Sequence, residues 1–114
     1  MTREELLAHC LAKPGAWQDE PWEGDLVVKV ADKIFAFLGR LDGDTIGLKC
    51  GRDSDDAGGW RDRYPDDVTV MAYIGRYGWN TLTVGAAVPD EEILEAIDAS
   101  YTDVVARMPK SKRP

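Results

Sequence analysis

The chain has one histidine and two cysteines in 114 residues, and this scarcity removes several chemistries at the start. His9 has no second histidine with which to share a metal ion. Ser54, Ser100 and Ser111 have no histidine at a suggestive spacing, which argues against a Ser–His nucleophile. Cys10 and Cys50 are too few for a disulfide framework and read as buried structural thiols, since free cysteine packs as a small hydrophobe. Gly47, Gly51, Gly58 and Gly59 match no phosphate loop. The acidic clusters at residues 19–20, 53–56 and 90–92 lack EF-hand spacing and read as solvated loops and helix starts. No apolar stretch approaches the ~20 residues that cross a bilayer, and the N-terminus lacks the basic-then-apolar order of a secretion signal. These absences lead us to expect a cytoplasmic, non-enzymatic protein with no metal, no cofactor and no membrane partner.

What is present is a single small domain. Hydrophobic residues make up 44% and charged residues 31% of the chain, a globular composition at a length that closes one core, so residues 1–114 are expected to form one domain. The formal net charge of −7 sits poorly with a phosphate-binding surface, although Lys110, Lys112 and Arg113 make the C-terminus locally basic.

Two helix-like ends frame a run of strands. Thr2 with Glu5 fits a capping box, after which Leu6, Leu7, Cys10 and Leu11 recur at helical spacing until Pro14-Gly15, so the spacing predicts a helix over 2–12. Residues 16–25 read as an irregular acidic loop carrying Trp17 and Trp22. Residues 26–30 and 34–38 read as a hairpin joined by Ala31-Asp32-Lys33, Leu41-Asp42-Gly43-Asp44 as a second turn, and residues 45–50 as a third strand. A helix over 53–64 is weakened by Gly58-Gly59 and stopped by Pro65. Strands at 68–74 and 79–84 flank Gly75-Arg76-Tyr77-Gly78. Pro89 and the acidic first turn open a final helix to 108, with a stripe of Ile93, Ile97, Tyr101, Val104 and Met108.

Side chains alternate faces along a strand. With Val30 opposite Ile34 and Val28 opposite Ala36, one face carries Leu26, Val28, Val30, Ile34, Ala36, Leu38, Ile46, Leu48, Cys50, Leu82 and Val84, and belongs under the helices. The other carries Val27, Lys29, Phe35, Phe37, Thr45, Lys49, Trp79, Thr81 and Thr83, with no acid among them. An aromatic surface flanked by cations suits single-stranded nucleic acid or a protein partner. It equally suits rings that cover the pleat under lysine stems. Arg76 and Tyr77 stand together on the expected tip of a β-wing that could reach a phosphate backbone. As a plain turn, the same loop needs only its glycines. The candidate binding residues are therefore Lys29, Phe35, Phe37, Lys49, Arg76, Tyr77 and Trp79.

A set of short motifs extends over nearly the whole chain: residues 10–16 (CLAKPGA), Glu20-Pro21-Trp22, residues 33–38 (KIFAFL), Leu48-Lys49-Cys50, Tyr64-Pro65, Trp79-Asn80-Thr81, Ser100-Tyr101 and Arg107-Met108-Pro109-Lys110. In order and spacing they resemble the MmcQ/YjbR family. The resemblance implies an α+β fold, CyaY-like (frataxin-like) and also described as a double-wing DNA-binding motif, with N- and C-terminal helices packed on one face of an antiparallel sheet. It implies DNA as partner, bound weakly through a sheet face and a β-wing. The alternative is a protein-binding adaptor, since frataxin-like folds engage partners through an exposed sheet face. Relatives carry a histidine-rich, asparagine–lysine stretch before Trp79-Asn80. This chain reads Tyr73-Ile74-Gly75-Arg76-Tyr77-Gly78 there, with Arg76 where the family's lysine falls.

Overall fold

The structure, a computed structural model, describes residues 1–40 and 42–114; Leu41, in the second expected turn, lies outside them. Helix α1 spans Arg3–Leu11. Its start is the capping box read from the sequence: the Thr2 hydroxyl accepts from the Glu5 N–H at 3.0 Å, and the Glu5 carboxylate accepts from the Thr2 N–H at 3.2 Å. Strands β1 (Ala16–Trp22), β2 (Asp25–Val30), β3 (Lys33–Gly39) and β4 (Thr45–Lys49) follow. Then come α2 (Gly58–Arg63), β5 (Val68–Val70), β6 (Trp79–Thr83) and α3 (Asp90–Ala106). The strands form one antiparallel sheet in the order β1-β2-β3-β4-β6-β5.

Three expectations about element boundaries need correction. The acidic stretch at residues 16–25 is largely a strand, β1, paired to β2 along the sheet edge. Most of its side chains are exposed on both faces, so it carries no apolar alternation, and Pro21 and a bulge between Asp19 and Trp22 blunt its free flank against further pairing. The helix expected over 53–64 begins only at Gly58. Asp53 instead turns back on the chain, its carboxylate accepting from the Asp56 N–H at 2.8 Å. The strand expected over 68–74 ends at Val70.

The register of the first hairpin is the correction that matters for function. Val28 faces Ala36 as expected, but the turn is the two-residue Ala31-Asp32, with Ala31 at φ 53°, and Val30 faces Lys33. The difference is absorbed by a bulge between Val28 and Lys29 on β2, where β3 has one residue more. Phe35 is thereby carried to the helix-covered side, fully buried beside Ala36, with its ring 5.2 Å from that of Tyr101 and at 82° to it. Ile34 leaves the core face, where parity had put it, and becomes half-buried on the opposite side. Elsewhere parity holds: Leu26, Val28, Val30, Ala36, Leu38, Ile46, Leu48 and Leu82 pack with Leu6 and Cys10 of α1 and Ile93, Ile97 and Val104 of α3.

β3 and β4 pair only at Ala36–Leu48 and Phe37–Gly47. Beyond that point α3 takes over the ladder. The buried Ser100 hydroxyl donates to the Phe35 carbonyl at 2.7 Å and accepts from the Lys49 N–H at 3.0 Å. A hydroxyl is both donor and acceptor, so it satisfies both strand edges at once.

Candidate partner-binding face

Of the seven candidate residues, the structure packs Phe37 against Trp79, gathers Lys49, Arg76 and Tyr77 around the 75–78 turn, and sets Lys29 and Phe35 apart from both groups. Phe37, on β3, faces away from the helices, and its ring meets Trp79 edge-on at 5.3 Å. Trp79 is nearly buried, and with Ile34, Val104 and Met108 it lines a hollow of about 290 Å³ where α3 enters the fork between β3 and β4. Phe35 is core and cannot contact a partner.

The two lysines are engaged internally. Lys29 lies over the Trp17 ring, 5.2 Å from its centroid, and its ammonium is 2.8 Å from Asp19 on β1. The Lys29 hydrogen bond holds the Asp19 carboxyl below the usual carboxylate range. Lys49 is 8% exposed rather than displayed on the sheet. Its ammonium donates to the Gly51 carbonyl at 2.9 Å and to that of Tyr77, with Asp103 of α3 at 3.8 Å. Burial pulls the Lys49 pKa down, and Asp103 opposes that pull. Parity alone had put these cations on open surface because it ignores what the flanking loops and strands supply.

The loop expected as a wing tip is a 3-10 turn, Gly75–Tyr77, closed by Gly78 at φ +89°. Gly78 must be glycine for two reasons: its backbone is left-handed, and a Cβ would overlap the Gly51 carbonyl. Arg76 and Tyr77 are both exposed on it, the guanidinium 4.8 Å from the ring centroid.

The helix-free face also holds residues that parity did not single out. A groove of about 650 Å³ runs over it, floored by Phe37, Gly47 and Thr81 and walled by Trp22, Met71 and Ile74. Gly47 makes room for the wall: a Cβ there would lie 2.8 Å from the Met71 sulfur. Trp22 is 64% exposed and Tyr73, at the lip, 99% exposed at φ 68°. An exposed ring held in a left-handed conformation is stored strain of the kind found at ligand sites. Trp22 was visible as an aromatic stranded in an acidic segment. Tyr73 had no sequence signal, because its exposure follows from where the short β5 ends.

The histidine and the thiols stand apart from this face. His9 bridges the two long helices: its Nε2 lies 2.8 Å from Asp98 of α3, and Lys13 lies 2.5 Å from the same oxygen. Burial pushes the Asp98 pKa up, but the hydrogen bonds from Lys13 and His9 outweigh it and hold the carboxyl below its ordinary range. Burial pushes the Cys10 thiol up to about 12 and the Cys50 thiol to about 11. Among the described residues no group of three or more histidine, cysteine or acidic side chains is placed to hold a metal ion, and no helix is long and apolar enough to cross a membrane.

Fold and face together define an α+β module with helices on one side of an antiparallel sheet and an aromatic groove on the other. The YjbR family model matches residues 11–102, and the chain belongs to the YjbR family. It is 31% identical to the uncharacterized protein YjbR of Escherichia coli K12 over 99% of this chain and 95% of that one, and equally to its counterpart in Escherichia coli O157:H7. In three dimensions it is similar to Deinococcus radiodurans protein DR2400, with a DUF419 domain, at TM-score 0.86 and 23% identity, covering 97% of this chain and 84% of that one. It is also similar to a protein from Pseudomonas syringae at TM-score 0.68 and 20% identity, covering 88% and 96%. Both likenesses bear on the fold alone.

Proposed function

We propose that the protein is a binding module that engages a protein partner through the helix-free face of its sheet. One contrast carries the reading: large aromatics are exposed while the two candidate lysines are already engaged by groups of the protein itself. Phosphate binding needs free cations. Lys29 is paired with Asp19, and Lys49 is held by two carbonyls near Asp103, which leaves Arg76 alone of the candidate cations at the surface. Against a net charge of −7, that supports DNA contact poorly. Trp22, Tyr73 and Tyr77 are large, exposed rings of the type that anchors protein interfaces.

The test is site-directed photocrosslinking in cells. A photoreactive amino acid replacing Tyr73 should yield a discrete protein adduct that resists nuclease. The same group replacing Glu91, on the outer side of α3, should not. Adducts that vanish with nuclease, together with DNA titrations whose affinity falls steeply with salt, would replace this reading with the nucleic-acid one.

A further inference from the structure

Resting on the protein-binding reading, we infer that the groove beside Tyr73 takes a partner segment in which aliphatic or aromatic side chains stand next to a lysine or arginine. The groove has a polarity along its length. Its floor and far wall are apolar: Phe37, Gly47, Met71 and Ile74. Among the described residues that line it, Asp25 alone carries a charge, beside Trp22 at the other end. No cation among them opposes an incoming positive group, and Thr45 and Thr81 add hydroxyls that can donate or accept. Its volume of about 650 Å³ lies in the range of clefts that seat several apolar groups.

Charge complementarity decides among occupants. A second copy of this chain carries its own −7, so two copies repel on approach, and the lining of its groove offers no cation to Asp25. Nucleic acid would bring phosphates to a site whose one charge is negative. A basic apolar segment meets an apolar floor and a carboxylate, with the remaining acidity of the molecule raising its rate of encounter. Met71 suits a site of this type: its unbranched thioether lies against Gly47 and can re-pack around an incoming side chain.

The test is fluorescence anisotropy at physiological salt with three labelled probes: an amphipathic leucine–lysine peptide, its leucine–glutamate counterpart, and a single-stranded oligonucleotide. The leucine–lysine peptide should bind and the other two should not. Asp25→Asn should weaken it by about fivefold, the effect of losing one partly solvated ion pair. Thr45→Trp, at an exposed position whose backbone bonds are untouched, should fill the groove and weaken it by at least about tenfold, while its thermal unfolding stays that of the wild type. Equal binding of both peptides, each blocked by Thr45→Trp, would overturn the charge assignment and leave the protein-binding face standing. Leucine–lysine binding that survives Thr45→Trp, or no binding of that peptide at all, would overturn the groove. Binding of the oligonucleotide alone would overturn the protein-binding reading as well.

Discussion

The Ser100 hydroxyl of α3 donates to the Phe35 carbonyl of β3 at 2.7 Å, standing in the sheet ladder where a strand neighbour would otherwise be. The same oxygen accepts from the Lys49 N–H, so one side chain joins the two halves of the sheet where β3 and β4 part. Ser100→Ala would leave a buried carbonyl and a buried N–H unpaired. We expect a loss of about 2–4 kcal/mol in urea denaturation, since each orphaned group costs about 1–3 kcal/mol. A loss under about 1 kcal/mol would mean that water or a strand shift replaces the hydroxyl.

The bulge at Phe35 makes a paired prediction. Phe35→Ala should cost about 3–5 kcal/mol, as for a filled core position, and Leu48→Ala about 2–5 kcal/mol. Phe37→Ala, at a half-buried ring on the open face, should cost clearly less than Phe35→Ala. Equal losses at 35 and 37 in chemical denaturation would put the bulge elsewhere.

Ala31 and Gly78 test the backbone in opposite senses. Ala31 occupies φ 53° in a two-residue turn, so Ala31→Gly should relieve strain and stabilise the fold by up to about 1 kcal/mol. Gly78→Ala should destabilise it and loosen the 75–78 turn, because the added Cβ meets the Gly51 carbonyl. Melting temperatures moving apart in these directions would support both assignments; the same direction for both would refute one.

Acid should weaken the α1–α3 contact. The Asp98 pKa is lowered in the folded state, so its contribution is present above the ordinary carboxylate pKa of about 4 and is lost as pH falls through the folded value. Asp98→Asn should therefore flatten the low-pH side of the stability profile. An unchanged profile would show that the bonds to Lys13 and His9 do not couple to folding.

The thiols should be inert. With Cys10 raised to about 12 and Cys50 to about 11 by burial, neither forms thiolate near pH 8. A disulfide exchange reagent should label the folded protein slowly at pH 8 and both positions promptly in denaturant. Rapid labelling of the folded protein would mean that the clefts open readily.

Local chemistry in the sequence determined the parts that depend on near neighbours. The capping box at Thr2 and Glu5 needs only four residues, and the stripe from Ile93 to Val104 needs only helical spacing, so α1 and α3 were legible, as was the apolar face through Val28, Ala36, Ile46, Leu48 and Leu82. The family resemblance rested on motif order and spacing, which are also properties of the linear chain. Tertiary structure alone decided the candidate site. Strand parity has period two and cannot see an inserted residue, so the bulge that carries Phe35 into the core had no local signature. β1 was missed because an edge strand is held by backbone bonds to β2, whatever its side chains. Lys29 and Lys49 lost their freedom to groups from other elements: Asp19 on β1, the Tyr77 carbonyl in the 75–78 turn and Asp103 on α3. A side chain's residue type sets what it can pair with; only the fold sets whether that partner is already there.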